Sequence, residues 1–104
     1  LDKILDTDYA ETAAFVLSKY LEEYDYDGLL DACKKAYAKF EDNDAAPVVQ
    51  IDENLYILEL FHGPTLAFKD IALTLLPYLL RQGCDKSGIK EDVLILVATS
   101  GDTG

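Results

Sequence analysis

The hydrophobic positions along the chain change their period three times, and each change marks a different kind of element. From Thr7 to Tyr24, "TDYAETAAFVLSKYLEEY" repeats Tyr9, Ala13, Val16, Leu17, Tyr20 and Tyr24 at three- and four-residue steps. That is the stripe of an amphipathic helix, with Thr7 or Asp8 as cap and Glu11 in the first turns. "DYDGLLDACKKAYAKF" predicts a second helix, with Leu29, Leu30, Cys33, Tyr37 and Phe40 on one side and Asp25 or Asp27 at its start. "EDNDAAP" ends it with turn formers and a proline. The aromatic stripes read as packing surfaces.

Beyond Pro47 the pattern turns to β-branched and aliphatic runs. "PVVQI" and "LYILELF" flank the turn-forming triplet "DEN", a hairpin signal. Residues 65–82 then read as one helix, apolar nearly all round and therefore buried, with Pro77 kinking or shortening it. "QGCDKSG" reads as a loop. "DVLILVATS" is a continuous apolar run, the pattern of a strand inside a parallel sheet. A helix, a buried strand and a glycine-rich loop in that order make the beginning of a doubly wound α/β layer. The expected organisation is a helical region over 1–46, followed by hairpin, lysine-bearing helix and first buried strand over 47–104.

Composition narrows the partners. Half of the 104 residues are hydrophobic, with seven Tyr and four Phe, so the chain is of the folding kind. The net charge of -11 opposes nucleic acid and anionic membranes as partners. Residues 1–44 carry twelve acids against five lysines, interleaved with apolar residues, which fits a solvated helical face. Two cysteines 51 positions apart and a single histidine do not make a zinc site. The start "LDKILDTDYA" has no secretory pattern, so reduced thiols and a cytoplasmic location are expected. The longest uncharged apolar run, Ile71–Leu80, is ten residues and too short to span a bilayer.

Two stretches carry chemistry. In "TSGDTG", Thr99, Ser100 and Thr103 supply hydroxyls while Gly101 and Gly104 allow close backbone approach to a ligand. After a parallel strand such a loop offers N–H donors to an anion. It lacks the lysine of a Walker A loop. Asp102 suits a hydroxyl or protonated nitrogen better than a phosphate. An ordinary Gly/Ser/Thr turn is the bland alternative.

The other stretch is "ELFHGPTLAFKD". Lys69 stands among Leu66, Ala67 and Phe68 on one side and Ile71, Ala72 and Leu73 on the other. With Thr65 as helix cap, Lys69 falls in the first turns. Burial and the helix dipole there both favour the neutral amine, the form that acts as a base or Schiff-base nucleophile. The alternative is a lysine whose stem is packed and whose head reaches water. Asp70 reads as a first-turn acid rather than a catalytic one, His62 as a structural hydrogen-bonding group at the turn with binding or proton transfer as the alternative, and Gly63–Pro64 as the turn itself.

Taken together, "ELFHGPTLAFKD" and "LVATSGDTG" resemble the threonine synthases, pyridoxal-phosphate enzymes of the tryptophan-synthase-β-like fold. The helical region before them is similar, less specifically. The resemblance implies that Lys69 forms the Schiff base with pyridoxal 5'-phosphate and that Phe68 and Asp102 border the cofactor, Asp102 near its ring hydroxyl. It implies that Thr99, Ser100, Gly101 and Thr103 bind the substrate carboxylate. The implied reaction converts O-phospho-L-homoserine and water to L-threonine and phosphate; a related phospho-lyase, or a non-catalytic domain of the same fold, is the alternative. The family is several times longer, so this chain is expected to be an N-terminal part. The loop for the cofactor phosphate, the partner of the pyridine nitrogen and most substrate-phosphate ligands are then expected beyond Gly104, and the piece alone is expected to be inactive.

Overall fold

Asp8 and Asp25 set the starts of the first two helices. The structure, a computed structural model, describes residues 5–101 and 103–104. Helix α1 runs Tyr9–Leu17, and Asp8 Oδ1 accepts from the Glu11 backbone N–H at 2.8 Å. Helix α2 runs Tyr26–Tyr37, and the Asp25 carboxylate accepts from Gly28 N–H at 3.2 Å. Of the two candidate caps at each start, these are the ones whose side chains reach the free N–H groups of the first turn.

The first helix is shorter than its stripe. Ser18 Oγ donates to Phe15 O at 2.6 Å, and successive tight turns follow, Lys19 N–H to Val16 O and Tyr20 N–H to Leu17 O, both at 3.0 Å. A serine hydroxyl bonded back to the preceding turn competes with the helical ladder. Val16 and Tyr20 are consequently exposed, although the periodicity placed them on the packed side.

Helices α1 and α2 pack through small residues. Ala10, Ala14, Ala32 and Ala36 are buried, which lets the two helices approach closely around Leu29 and Cys33, both fully buried. Burying a leucine side chain contributes about 1.5–3 kcal/mol. Tyr37 meets Tyr9 edge-on, with centroids 4.9 Å apart, and Phe40 at 5.5 Å. Burial pushes the Tyr37 hydroxyl and the Tyr9 hydroxyl above the ordinary tyrosine range, with the neighbouring ionisable groups adding to it. Burial likewise raises the Cys33 thiol to about 11. Both cysteines are buried free thiols.

The hairpin forms as expected. Strand β1, Val48–Asp52, pairs antiparallel with β2, Leu55–Leu58, in the register Val48↔Leu58, Val49↔Ile57 and Gln50↔Tyr56, with an irregularity before Asp52. Both faces of this two-stranded ribbon are largely exposed.

Residues 65–82 are not one helix. A loop extends to Lys69, helix α3 covers only Asp70–Leu73, and helix α4 runs Leu76–Lys86 with Pro77 in its first turn. Proline has no N–H to continue the ladder from α3, but fits the start of a new helix. The segment expected as the loop "QGCDKSG" is mostly the end of α4. Gly83 allows close packing there, since a Cβ at this position would stand 2.6 Å from Tyr24 Oη. The Tyr24 hydroxyl donates to Leu79 O at 3.0 Å, and Gln82 Nε2 donates to Gly28 O at 2.8 Å. Tyr37 Oη in turn donates to Ile71 O at 3.0 Å, and Leu75 joins the α1–α2 core. Tyr37 of α2 and Tyr24 of the segment between α1 and α2 therefore hold α3 and α4, with the Gln82–Gly28 bond and a shared apolar contact beside them.

The run "DVLILVATS" forms no strand here. Residues 92–99 pair with no neighbour and are exposed, Leu94 at 82% and Leu96 at 87%. A strand is defined by its ladder, and among the described residues none lies alongside this one to accept its hydrogen bonds. The protein exposes 7696 Å² in all. A folded monomer of this mass exposes roughly 5800 Å². Many of the exposed large hydrophobic side chains lie in the hairpin and the 93–97 run. Among the described residues no helix is long and apolar enough to cross a membrane.

Candidate active site

The loop that leads to Lys69 is built around a buried carboxylate. Asp70 is 6% exposed, and its Oδ2 accepts from Thr65 N–H at 2.7 Å while Oδ1 accepts from Thr65 Oγ1–H at 2.6 Å. Inside this bracket Leu66 takes a φ of 63°, and its N–H donates to Gly63 O at 3.0 Å. A left-handed leucine costs about 1–2 kcal/mol. Hydrogen bonds to a charged acceptor contribute about 1.5–3 kcal/mol each, so the two from Thr65 outweigh that cost. Gly63 is needed for the carboxylate to fit, because a Cβ there would stand 2.8 Å from Asp70 Cγ and closer still to its Cβ.

Thr65 thus bonds the first residue of α3 instead of capping a helix of its own, and Lys69 occupies the position just before that helix. The backbone there is helical, φ -63° and ψ -21°, and Lys69 O accepts from Leu73 N–H at 2.9 Å. Asp70, read from the sequence as a first-turn acid, organises the loop as well. The signal that could have found this is the threonine five residues before the aspartate with a glycine two residues before the threonine.

His62 stands outside this arrangement. Its Nε2 lies 2.9 Å from Glu59 Oε1, its ring stacks obliquely on Phe61 at 4.7 Å, and its carbonyl accepts from Glu41 N–H at 3.0 Å. These contacts tie the entrance of the loop to the end of α2, the structural role expected of it.

The lysine and the glycine-rich loop meet. Lys69 is half-buried, and its Nζ donates to Thr103 Oγ1 at 2.8 Å across 34 positions of sequence. Two open clefts flank the contact. One, of about 400 Å³, is lined by Pro64, Thr65, Asp70, Gly101, Thr103 and Gly104 among others. The second, of about 520 Å³, is apolar and bordered by Leu60, Phe68, Lys69, Ile71, Ala72 and Leu73, with Thr103 at its edge. Phe68 is 63% exposed on that side. Gly101 has a φ of 129°, and its N–H donates to Thr99 Oγ1 at 2.8 Å, which closes a turn. Thr99 and Ser100 are exposed and border neither cleft. Asp102 lies outside the described residues. An amine, a hydroxyl and side-chain-free backbone therefore converge where an apolar wall meets a polar one.

No protein-family model matches the chain. A threonine synthase of Pseudomonas aeruginosa is 52% identical over 71 residues, which are 68% of this chain and 15% of that protein. A threonine synthase of Saccharomyces cerevisiae is 37% identical over 108 residues, covering 92% of this chain and 21% of its own length. Threonine synthase-like 1 of Homo sapiens is 39% identical over 99 residues, 92% of this chain and 13% of that protein. Among solved structures, the PLP-bound threonine synthase of Brucella melitensis matches with a TM-score of 0.74 at 37% identity, over 80% of this chain and 18% of that one. Fold and sequence together make the chain a fragment of the fold found in the PLP-bound threonine synthases. It belongs to the threonine synthase family. It spans about a fifth or less of the length of these relatives.

Proposed function

We propose that this chain forms part of a threonine synthase in which Lys69 is the residue that attaches pyridoxal phosphate. The whole enzyme would convert O-phospho-L-homoserine and water to L-threonine and phosphate. The observation that carries the reading is the 2.8 Å hydrogen bond from Lys69 Nζ to Thr103 Oγ1, which joins the two most specific motifs of the chain at one place. The bound cofactor supplies an electron sink that makes the substrate's carbon-bound hydrogens acidic. The residues present fit part of such a group. Leu60, Phe68, Ile71, Ala72 and Leu73 offer an apolar wall for its ring, and the Lys69 amine can condense with its aldehyde.

Lys69 Nζ, once released, is the base that takes a proton from the substrate carbon next to its amino group, and the acid that returns one. Thr103 Oγ1 holds that amine in place. Gly101, Thr103, Thr99 and Ser100 form the loop for the substrate carboxylate, with Asp102 as a cofactor neighbour. The Lys69 loop is held from behind by Asp70 and by the Tyr37 hydroxyl on Ile71 O, which keeps the amine's base fixed while the ligand changes.

Two measurements test this. The full-length protein, mixed with pyridoxal phosphate and reduced with borohydride, should carry the label on Lys69; its absence there would sink the assignment. Incubation with O-phosphohomoserine should yield threonine and phosphate in equal amounts. Release of an oxo-acid without threonine would instead support a phospho-lyase.

A further inference from the structure

We propose that Asp70 is a positioning residue for Lys69, acting through Thr65 to fix where the amine points. The inference rests on the reading of Lys69 as the cofactor-attaching residue.

Three observations carry it. The Asp70 carboxylate is buried, and both of its oxygens are taken by Thr65, one by the backbone N–H and one by the hydroxyl. The bracket closes over the left-handed Leu66 and so determines the direction in which the chain enters Phe68–Lys69. On the other side, Asp70 opens α3, and its backbone O accepts from Thr74 N–H at 3.0 Å. Lys69 therefore stands at the junction of a hydrogen-bonded loop and a one-turn helix, with Asp70 belonging to both. Each carboxylate oxygen already holds one Thr65 donor. The carboxylate's work is to hold the backbone from which Lys69 reaches Thr103. Gly63 belongs to the same device, since any side chain there would displace the carboxylate. This gives glycine, threonine and aspartate in "HGPTLAFKD" a common physical reason that the sequence alone did not supply.

The test is site-resolved labelling of the full-length protein. Pyridoxal phosphate is added, the adduct is fixed by borohydride as a secondary amine, and peptides are mapped for label at Lys69 and at the exposed Lys34 and Lys90. Asp70→Asn and Thr65→Val should each lower labelling at Lys69 at least tenfold, with Lys34 and Lys90 unchanged. Thr65→Ser, which keeps both donors, should restore it, and Gly63→Ala should reproduce the loss. The pH dependence of the Lys69 labelling rate should shift in the impaired variants, which a loss of global stability alone would not do. Thermal unfolding identifies any variant that fails to fold, and Thr65→Val and Thr65→Ser then decide the matter as the mildest pair. Lys69 labelling unchanged in folded Asp70→Asn and Thr65→Val overturns this role while leaving the cofactor assignment intact. No label on Lys69 in the unsubstituted protein overturns both.

Discussion

Lys69 Nζ lies 2.8 Å from Thr103 Oγ1, so a lysine at the start of a one-turn helix and a threonine near the end of an extended run share a hydrogen bond. Replacing the hydroxyl by a methyl group of the same shape isolates that contact. A net hydrogen bond contributes about 0.5–1.5 kcal/mol, so Thr103→Val should weaken retention of pyridoxal phosphate roughly two- to tenfold. Thr103→Ser should restore it. Absorbance of the full-length protein after dialysis checks both.

Tyr37 connects the N-terminal core to the site. Its hydroxyl donates to Ile71 O, two residues beyond Lys69 and inside α3. Tyr37→Phe keeps the ring contacts with Tyr9 and Phe40 but leaves a carbonyl without its donor, at a cost of about 1–3 kcal/mol. The expected result is a lower urea midpoint with an unchanged m-value, and faster amide exchange at Leu73 in α3 and at Thr74 just beyond it.

The raised thiol of Cys33 makes stability fall at alkaline pH. Its folded value of about 11 lies above the ordinary thiol range, because burial disfavours the thiolate. In the unfolded chain the proton leaves first, so the unfolded state binds fewer protons and stability declines as pH rises. The contribution is fully present below the unfolded thiol's pKa and is lost as pH passes through the folded one, between about 9 and about 11. Tyr9 and Tyr37, also raised, add a loss of the same sign at the upper end of that range. Denaturant midpoints from pH 8 to 11 should fall, and Cys33→Ala should flatten the first part of the slope.

The run at 93–97 makes the isolated chain adhesive. Leu94 and Leu96 are the most exposed of its side chains, in a segment whose backbone pairs with no strand among the described residues. Exposed apolar strand edges pair with whatever they meet. The double substitution Leu94→Lys, Leu96→Lys should lower binding of a hydrophobic dye and shift sedimentation toward the monomer, with the far-ultraviolet signal of the helices unchanged.

Much of this architecture was legible from local pattern. The stripe Leu29, Cys33, Tyr37, Phe40 read correctly, and the caps were narrowed to Thr7 or Asp8 and to Asp25 or Asp27, because helix period and capping depend on residues within a turn or two. The hairpin around "DEN" read correctly for the same reason. The single helix over 65–82 did not, since its apolar pattern gave no hint that Thr65 would bond to Asp70 or that Pro77 would begin a second helix. The loop expected around Gly83 became helix because Tyr24, far away in sequence, packs against that glycine.

What the sequence by itself determined is the local chemistry: which residues can cap, turn and alternate, and two motifs specific enough to mark the family. What only the tertiary structure decided is their arrangement. The tyrosine hydroxyls that anchor α3 and α4 and the contact with Thr103 join groups whose partners cannot be read from neighbouring residues. The same holds for the unpaired 92–99 run: its residues favour a strand, but a ladder needs a second backbone, and that is a property of the fold and not of the segment.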